Sequence, residues 1–151
     1  AQGLTTSQFL ATKPNLFTSD FQFPVMVLRD SSLEHNIKRM AAYCKGHGFE
    51  LAPHAKTPMS PQIAKRQIDA GAWGLTVANF NQARIMVEYG FKKLIIGNEV
   101  MEPTSIAEIA KINGSGAGYI IFYIDSLAGL KIAQSSIDGV ANAKLNIFYK
   151  I

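Results

Sequence analysis

The chain has 151 residues, a formal net charge of +4 and 48% hydrophobic residues, which suits one ordinary folded domain. Its 15 Lys and Arg residues are spread along the sequence, so the composition disfavours nucleic-acid binding. No apolar stretch reaches the roughly 20 residues that a membrane span requires, which disfavours a membrane protein. The single cysteine, Cys44, cannot form a disulfide within the chain, and this favours a reducing, cytoplasmic compartment.

The first half of the sequence predicts an N-terminal arm followed by alternating strands and helices. Residues 1–22 mix polar and aromatic side chains without a period and are interpreted as the arm. The elements predicted next are a strand at Val25–Leu28, a helix with Leu33, Ile37, Met40, Ala41 and Cys44 that ends near Gly46 and Gly48, a strand at Phe49–Lys56, and a helix from the Ser60-Pro61 cap to Gly71.

The second half continues the alternation, and residues 23–151 are expected to form one domain. The predicted elements are a strand at Gly74–Asn79, a helix through Ala83, Met86 and Val87 to Gly90, a strand at Leu94–Gly97, a helix opened by Pro103 with Ile106, Ile109 and Ala110, a strand at Tyr119–Ile124, a helix capped by Ser126 with Leu130 and Ala133, and a strand at Leu145–Ile151.

The predicted strands are short and apolar on both faces, which is typical of a parallel sheet covered by helices. Such a pattern fits either an open doubly wound sheet or part of a (β/α)8 barrel of the TIM type. A complete barrel needs about 250 residues, so we expect an α/β fold that is the truncated N-terminal portion of a barrel, with about five of its strands. A complete small α/β domain is the alternative. An interrupted barrel exposes apolar interior surface, so the isolated chain is expected to self-associate.

The stretch Leu51–Thr57 holds the candidate catalytic residue, Lys56, at the predicted end of a strand. Ligands of parallel α/β folds meet the carboxyl ends of the strands. A lysine condenses with an aldehyde only as the neutral amine, so its pKa must lie well below about 10.4, and burial or nearby cationic groups lower it. His54 is expected on the same side of the strand as Lys56. From these residues alone, a phosphate-binding or solvent-exposed lysine and a structural histidine stay open as alternatives.

Several dispersed motifs carry a resemblance to a known family. Pro53-His54-Ala55-Lys56-Thr57 is similar to the Pro-His-x-Lys-Thr motif of the D-threonine aldolase and D-serine dehydratase group, which is related to alanine racemase. The opening of the chain and later segments resemble the same group in order and spacing over about residues 23–136. These segments are Pro24–Asp30 with Leu33, Asn36 and Met40, then Ile63-Ala64, Gln67, Gly71-Ala72, Thr76-Val77-Ala78 and Ile124-Asp125-Ser126.

The resemblance implies a fold-type III barrel that binds pyridoxal 5'-phosphate (PLP), followed by a β-rich C-terminal domain, in an enzyme that acts on amino acids, commonly as a homodimer. By that analogy Lys56 forms the internal aldimine with PLP and serves as the base at the α-carbon, while PLP acts as the electron sink. Residues near the strand ends would surround the cofactor: His54, Thr76 and Asn79, with Asn98 and Asp125. For each of the last four, an ordinary cap or turn role is the alternative.

The sequence departs from the group's pattern at three places. Ala52 stands where an arginine precedes the Pro-His pair, and Pro58-Met59 stands where a histidine follows Lys-Thr. Gln82-Ala83-Arg84 replaces a Glu-Ala-Glu-like segment after the third predicted strand. The cofactor lysine is retained, so the departures bear on substrate choice and on polar support for the pocket.

No metal site is predicted in this chain. His47 and Cys44 are close in sequence on the first predicted helix, but two ligands do not make a structural zinc site. In the group that the chain resembles, the phosphate-binding loops, the second acid–base residue and the metal-binding histidine and cysteine lie in later strands or in the C-terminal domain. A divalent metal is therefore expected in the full-length protein only, if at all.

Three functions follow from the sequence. The leading hypothesis is a fragment of a PLP-dependent lyase or racemase acting on small-molecule D-amino acids, with aldolase, dehydratase and racemase branches left open and the isolated chain expected to be inactive. The alternative is a non-catalytic PLP-binding protein of the same fold type, which carries the cofactor. The third is a barrel fragment that binds a phosphate-bearing metabolite through a lysine without covalent chemistry.

Overall fold

The computed structural model describes residues 3–18 and 20–150. Its contacts divide the chain into two compact units, Ala1–Leu33 and Glu34–Ile151. The sheet that the structure forms and the predicted site residues all belong to the second unit. The predicted boundary between an arm at 1–22 and a domain at 23–151 stays a prediction.

The first unit contains a helix that the sequence analysis missed. Helix α1 spans Thr6–Ala11, and the Thr5 and Gln8 side chains form a capping box at its start. None of its residues is buried, so no apolar stripe marks it in the sequence and the cap is its only local signal. Farther along, the Asn15 N–H and the Thr18 hydroxyl donate hydrogen bonds to Asp20, and these bonds lower the pKa of that carboxyl.

The predicted strand at Val25–Leu28 is wrong. Residues 25–29 have no regular secondary structure, and Met26 is 96% exposed. A strand needs a neighbour that supplies ladder hydrogen bonds, which an apolar run does not guarantee.

Helix α2 spans Asp30–His47, close to the predicted bounds. Ile37 and Cys44 are buried, whereas Met40, from the same predicted stripe, is about half exposed. The helix ends before Gly48, whose φ of 69° is the left-handed conformation that glycine adopts at low cost.

The second unit alternates helices and strands as predicted. Its four strands form one sheet of order β1-β2-β3-β4, and every neighbouring pair is parallel. A doubly wound sheet reverses its order at a switch point, so the sequential order is that of a barrel segment. The elements are α3 Pro61–Asp69, β1 Leu75–Val77, α4 Phe80–Glu88, β2 Lys93–Glu99, α5 Pro103–Ser115, β3 Tyr119–Ile124, α6 Leu127–Ser136 and β4 Asn146–Tyr149.

The core lies between one face of the sheet and the helices. Alternate strand residues, Leu75, Val77, Leu94, Ile96, Ile120, Phe122 and Ile124, form one cluster with Ala64, Ala83, Met86, Ile106, Ile109 and Ala133 of the helices. The intervening residues occupy the opposite face, because side chains alternate along a strand. On that face the register aligns Thr76 with Ile95 and Ile95 with Ile121.

The predicted strand at Phe49–Lys56 survives only as one bridge between His54 and Thr76. The segment nevertheless runs parallel to β1, since Trp73 N–H donates to Leu51 C=O at 2.7 Å and Thr76 N–H donates to Pro53 C=O at 2.8 Å. Pro53 has no N–H to offer in return, which interrupts a regular ladder. This segment and the four strands account for the five barrel strands that the sequence predicts.

Candidate functional site

Four of the predicted site residues lie near or beyond the carboxyl ends of neighbouring parallel segments. Lys56 follows the segment that pairs with β1, Asn79 follows β1, Asn98 lies near the end of β2, and Asp125 follows β3. Carboxyl ends of parallel strands meet at one edge of a sheet. The topology therefore brings these residues to the edge where ligands bind in such folds.

Lys56 is the first residue of a turn that spans 56–58. The backbone just before it is anchored, because Ala55 N–H donates to Thr76 C=O at 2.8 Å and Met59 N–H donates to Ala55 C=O at 2.9 Å. The Lys56 side chain is exposed, so the shielding expected for a covalent lysine is not provided by the described residues. The turn also means that the period-two argument linking Lys56 to His54 does not apply.

His54, Thr76 and Gly97 contact one another on the sheet face opposite the helices. His54 pairs with Thr76 in register, and the Thr76 hydroxyl donates to Ala52 C=O at 2.8 Å. A Cβ built on Gly97 would lie 3.1 Å from Thr76 Cγ2 and 3.9 Å from His54 Cε1. Gly97 is exposed and has no side chain, so it leaves a gap open to solvent beside the His54 ring, and a Cβ there would crowd Thr76. The sequence analysis gave Gly97 no role, because a glycine at the end of a predicted strand marks a turn as readily as a site.

Asn79 and Asn98 form hydrogen bonds with backbone groups. This is the cap or turn role that the sequence offered as the alternative for both residues. Asn79 caps α4, with its Oδ1 accepting a hydrogen bond from Gln82 N–H at 3.0 Å. Asn98 Nδ2 donates to Ala78 C=O at 2.8 Å. Asp125 is exposed and precedes the cap of α6. Cofactor binding by Asn79, and pocket roles for Asn98 and Asp125, stay predictions.

Gln82 is a site residue that sequence reasoning did not identify. Its Oε1 accepts a hydrogen bond from Ala78 N–H at 2.8 Å, and its Nε2 makes a long hydrogen bond of 3.5 Å to the Lys56 carbonyl. In the sequence it was visible only as a departure from the Glu-Ala-Glu-like pattern. No local signal marks the contact, because Gln82 and Lys56 are 26 residues apart.

The arrangement offers a primary amine, an imidazole ring and an unfilled gap at one edge of the sheet. These groups suit a flat aldehyde that attaches through its carbonyl carbon. Among residues 3–18 and 20–150, no group of three or more His, Cys, Asp and Glu side chains is placed to hold a metal ion. In the same part of the chain, no helix is long and apolar enough to cross a bilayer.

Comparison with known proteins gives consistent relatives, although no family model matches the chain. A 3-hydroxy-D-aspartate aldolase of Paracoccus denitrificans is 31% identical over 141 residues, which cover 91% of this chain and 35% of that protein. A D-threonine aldolase of Arthrobacter sp. is 34% identical over 89 residues, or 59% of this chain and 24% of that protein. A D-threo-3-hydroxyaspartate dehydratase of Delftia sp. strain HT23 is 28% identical over 105 residues, or 70% and 27%.

Solved structures agree with these sequence relatives. The crystal structure of D-threonine aldolase from Filomicrobium marinum matches with a TM-score of 0.79 and 26% identity, over 87% of this chain and 35% of that one. The Delftia dehydratase matches with a TM-score of 0.75 at 22% identity, over 85% of this chain and 33% of its own, and supports the fold alone. The chain spans 35% of the Paracoccus relative.

The predicted fold is confirmed by these likenesses, and the predicted family with it. The chain is a relative of the N-terminal part of the D-threonine aldolase and hydroxyaspartate aldolase and dehydratase group, the fold-type III enzymes that use PLP.

Proposed function

We propose that this chain is the cofactor-lysine part of a PLP-dependent lyase that acts on 3-hydroxy-D-amino acids, with Lys56 as the attachment point of the cofactor. The observation that carries the proposal is the place of Lys56, in a turn anchored to β1 at the carboxyl edge of the parallel sheet. The relatives support the substrate class, since the substrates that they are named after share a hydroxyl on the carbon next to Cα.

The residues present fit the aldehyde end of PLP. Lys56 supplies the amine, and the exposed His54 ring borders the gap that Gly97 leaves open. A side chain at position 97 would occupy that gap, and its Cβ would crowd Thr76 Cγ2 at 3.1 Å. Lys56 and His54 are the residues that would hold the cofactor, with Thr76 fixing the backbone beneath them.

When bound, PLP supplies an electron sink for the bond that breaks at Cα. Lys56 would hold the cofactor through its neutral amine. The same amine would be the group that takes or returns a proton at the substrate. His54 borders the gap at Gly97, so its ring would flank a bound cofactor on that side.

The attachment is tested by trapping in the full-length protein that carries this chain. PLP is added, the product is reduced with borohydride, and peptide mass spectrometry locates the modified lysine. We expect label at Lys56, its loss in Lys56→Ala, and no change in Lys93→Ala, a matched control whose ammonium lies 5.1 Å from the Trp73 ring centroid at the opposite strand ends. Persistence of the label at another lysine in Lys56→Ala would overturn the assignment.

The reaction is tested with D-threonine and 3-hydroxy-D-aspartate. An aldolase breaks the Cα–Cβ bond and releases glycine and an aldehyde, whereas a dehydratase removes the hydroxyl as water and ends with a keto acid and ammonia. Release of either product pair, lost in Lys56→Ala, supports the lyase. Label at Lys56 without turnover of either substrate would instead support a protein that carries PLP without catalysis.

A further inference from the structure

The side chain of Gln82 connects the first turn of α4 to the turn that contains Lys56. Gln82 is half-buried, and its amide lies between two backbone groups, Ala78 N–H and Lys56 C=O. An amide has one acceptor end and one donor end. The 2.8 Å bond from Ala78 N–H fixes the acceptor end, so the donor end faces the Lys56 carbonyl.

We propose that Gln82 is a positioning residue for Lys56: by holding the Lys56 carbonyl against the start of α4, it sets the turn from which the Lys56 amine reaches the cofactor. The inference rests on the proposed function and deepens it. Other hydrogen bonds hold the turn at both of its ends. Ala55 N–H donates to Thr76 C=O, and Met59 N–H donates to Ala55 C=O. Within residues 3–18 and 20–150, the Lys56 carbonyl accepts its side-chain hydrogen bond from Gln82 Nε2.

In this chain, the two contacts of position 82 would respond differently to an amide and to a carboxylate. Glutamate would keep the bond from Ala78 N–H, because that bond needs only an acceptor. Its second oxygen would then face the Lys56 carbonyl oxygen, and two acceptors repel each other. Glutamate is therefore a substitution of equal shape that preserves one contact of Gln82 and removes the other.

Because Gln82→Glu keeps one contact and removes the other, this variant distinguishes a positioning role from a purely structural one. A carboxylate in the first turn of a helix is favoured by the helix dipole, so Gln82→Glu is expected to keep or raise the melting temperature. A residue that only stabilised α4 would then leave Lys56 unaffected. A residue that positions Lys56 would slow cofactor attachment in the same variant.

The experiment compares Gln82→Glu with the full-length wild-type protein and with Gln62→Glu. The control adds the same charge to the first turn of α3, where Gln62 contacts Ser60 instead of the lysine turn. We expect attachment of PLP at Lys56, trapped with borohydride, to slow by about 2- to 10-fold in Gln82→Glu, the range that one hydrogen bond is worth, and to be unchanged in Gln62→Glu. A wild-type rate in a folded Gln82→Glu protein would overturn the proposal.

Hydrogen exchange at the Met59 amide gives a second readout that needs no cofactor. This amide closes the lysine turn through its bond to Ala55 C=O at 2.9 Å, so it should exchange faster in Gln82→Glu than in wild type or Gln62→Glu. If wild type shows no attachment at Lys56, the proposed function fails and the exchange rate alone decides whether Gln82 holds the turn. Unchanged exchange at Met59 would count against Gln82 whatever the cofactor does.

Discussion

Asn113 and Ile120 exchange two hydrogen bonds across seven residues. Ile120 N–H donates to Asn113 Oδ1 at 2.6 Å, and Asn113 Nδ2 donates to Ile120 C=O at 2.9 Å. Asn113 lies near the end of α5 and is only 7% exposed. Its amide thus pairs with the backbone of β3 as a neighbouring strand residue would, and both buried partners are satisfied.

Asn113→Ala is expected to lower the free energy of unfolding by about 1–3 kcal/mol, because it removes the Oδ1 that accepts from the buried Ile120 N–H and one of the amide groups that donate to Ile120 C=O, the other being Asn146 Nδ2 at 3.4 Å. The control is Lys111→Ala on the same helix, which removes an exposed ion pair with Glu108 worth at most about 1 kcal/mol. Urea denaturation of both variants measures the difference. Equal losses in the two variants would mean that the Asn113 pairing contributes little.

Two helical glycines are expected to respond to alanine in opposite directions. A Cβ on Gly114 would overlap the Asn142 carbonyl oxygen, whereas nothing lies within 4 Å of a Cβ on Gly46. Gly114→Ala should therefore destabilise the chain by about 1–3 kcal/mol, as overpacking does. Gly46→Ala should stabilise it by about 0.5–1 kcal/mol, because alanine is the better helix former. Thermal unfolding reports both signs, and a stable Gly114→Ala protein would contradict the close approach.

The free energy of unfolding is expected to depend on pH through Glu102. The pKa of this carboxyl, which caps α5, is lowered from 4.5 to about 2. The largest cause is a hydrogen bond from the Ser105 side chain, and the second is one from the Thr104 side chain. A lowered folded-state pKa means that its stabilising contribution is present above 4.5 and is lost as the pH falls toward about 2. The unfolding free energy of Glu102→Gln should therefore fall less steeply than that of wild type in this window. Parallel curves for the two proteins would exclude the effect.

Gly97 is expected to control access to the lysine edge. Gly97→Val should fill the gap beside His54, and because a Cβ there would lie 3.1 Å from Thr76 Cγ2, the Thr76 side chain must shift by a few tenths of an ångström. Gly97 is exposed and its φ is not left-handed, so PLP attachment at Lys56 should drop while the protein stays folded, with at most a small fall in melting temperature. Gly46→Ala serves as the glycine control. Unchanged attachment in Gly97→Val would show that the gap is not used.

The edge strand β4 is expected to drive self-association of the 151-residue chain. β4 ends the strand order of the described sheet, and its Phe148 and Tyr149 are 41% and 68% exposed. Unpaired apolar edges join to other chains. Tyr149→Lys should shift sedimentation profiles toward monomer, and Tyr89→Lys, which changes a tyrosine 65% exposed at the end of α4, should not. A wild-type chain that stays monomeric at high concentration would contradict the expectation.

Most elements of the second unit could be predicted because they depend on residues that are close together in the sequence. Ser60 and Ser126 cap α3 and α6 through bonds to N–H groups three residues later, and such contacts depend only on nearby sequence. The buried strands β2 and β3 were predictable for the same reason, because each is a short apolar run between turn signals. The motif around Lys56 also lies within five consecutive residues, which is why the family resemblance was visible in the sequence.

Long-range contacts decided the rest. Val25–Leu28 has the composition of a strand but no ladder partner in the structure, whereas Leu51–Ala55 gains its bridge to β1 from residues more than 20 positions away. Gln82 reaches Lys56 across 26 residues, and Asn79 and Asn98 bind backbone groups. The sequence by itself determined helices α2 to α6, the buried strands β2 and β3 and the choice of Lys56 as the candidate lysine, since these follow from periodicity, caps and a contiguous motif. Only the tertiary structure decided which segments pair and which side chains meet Lys56, because those contacts depend on where distant parts of the chain lie.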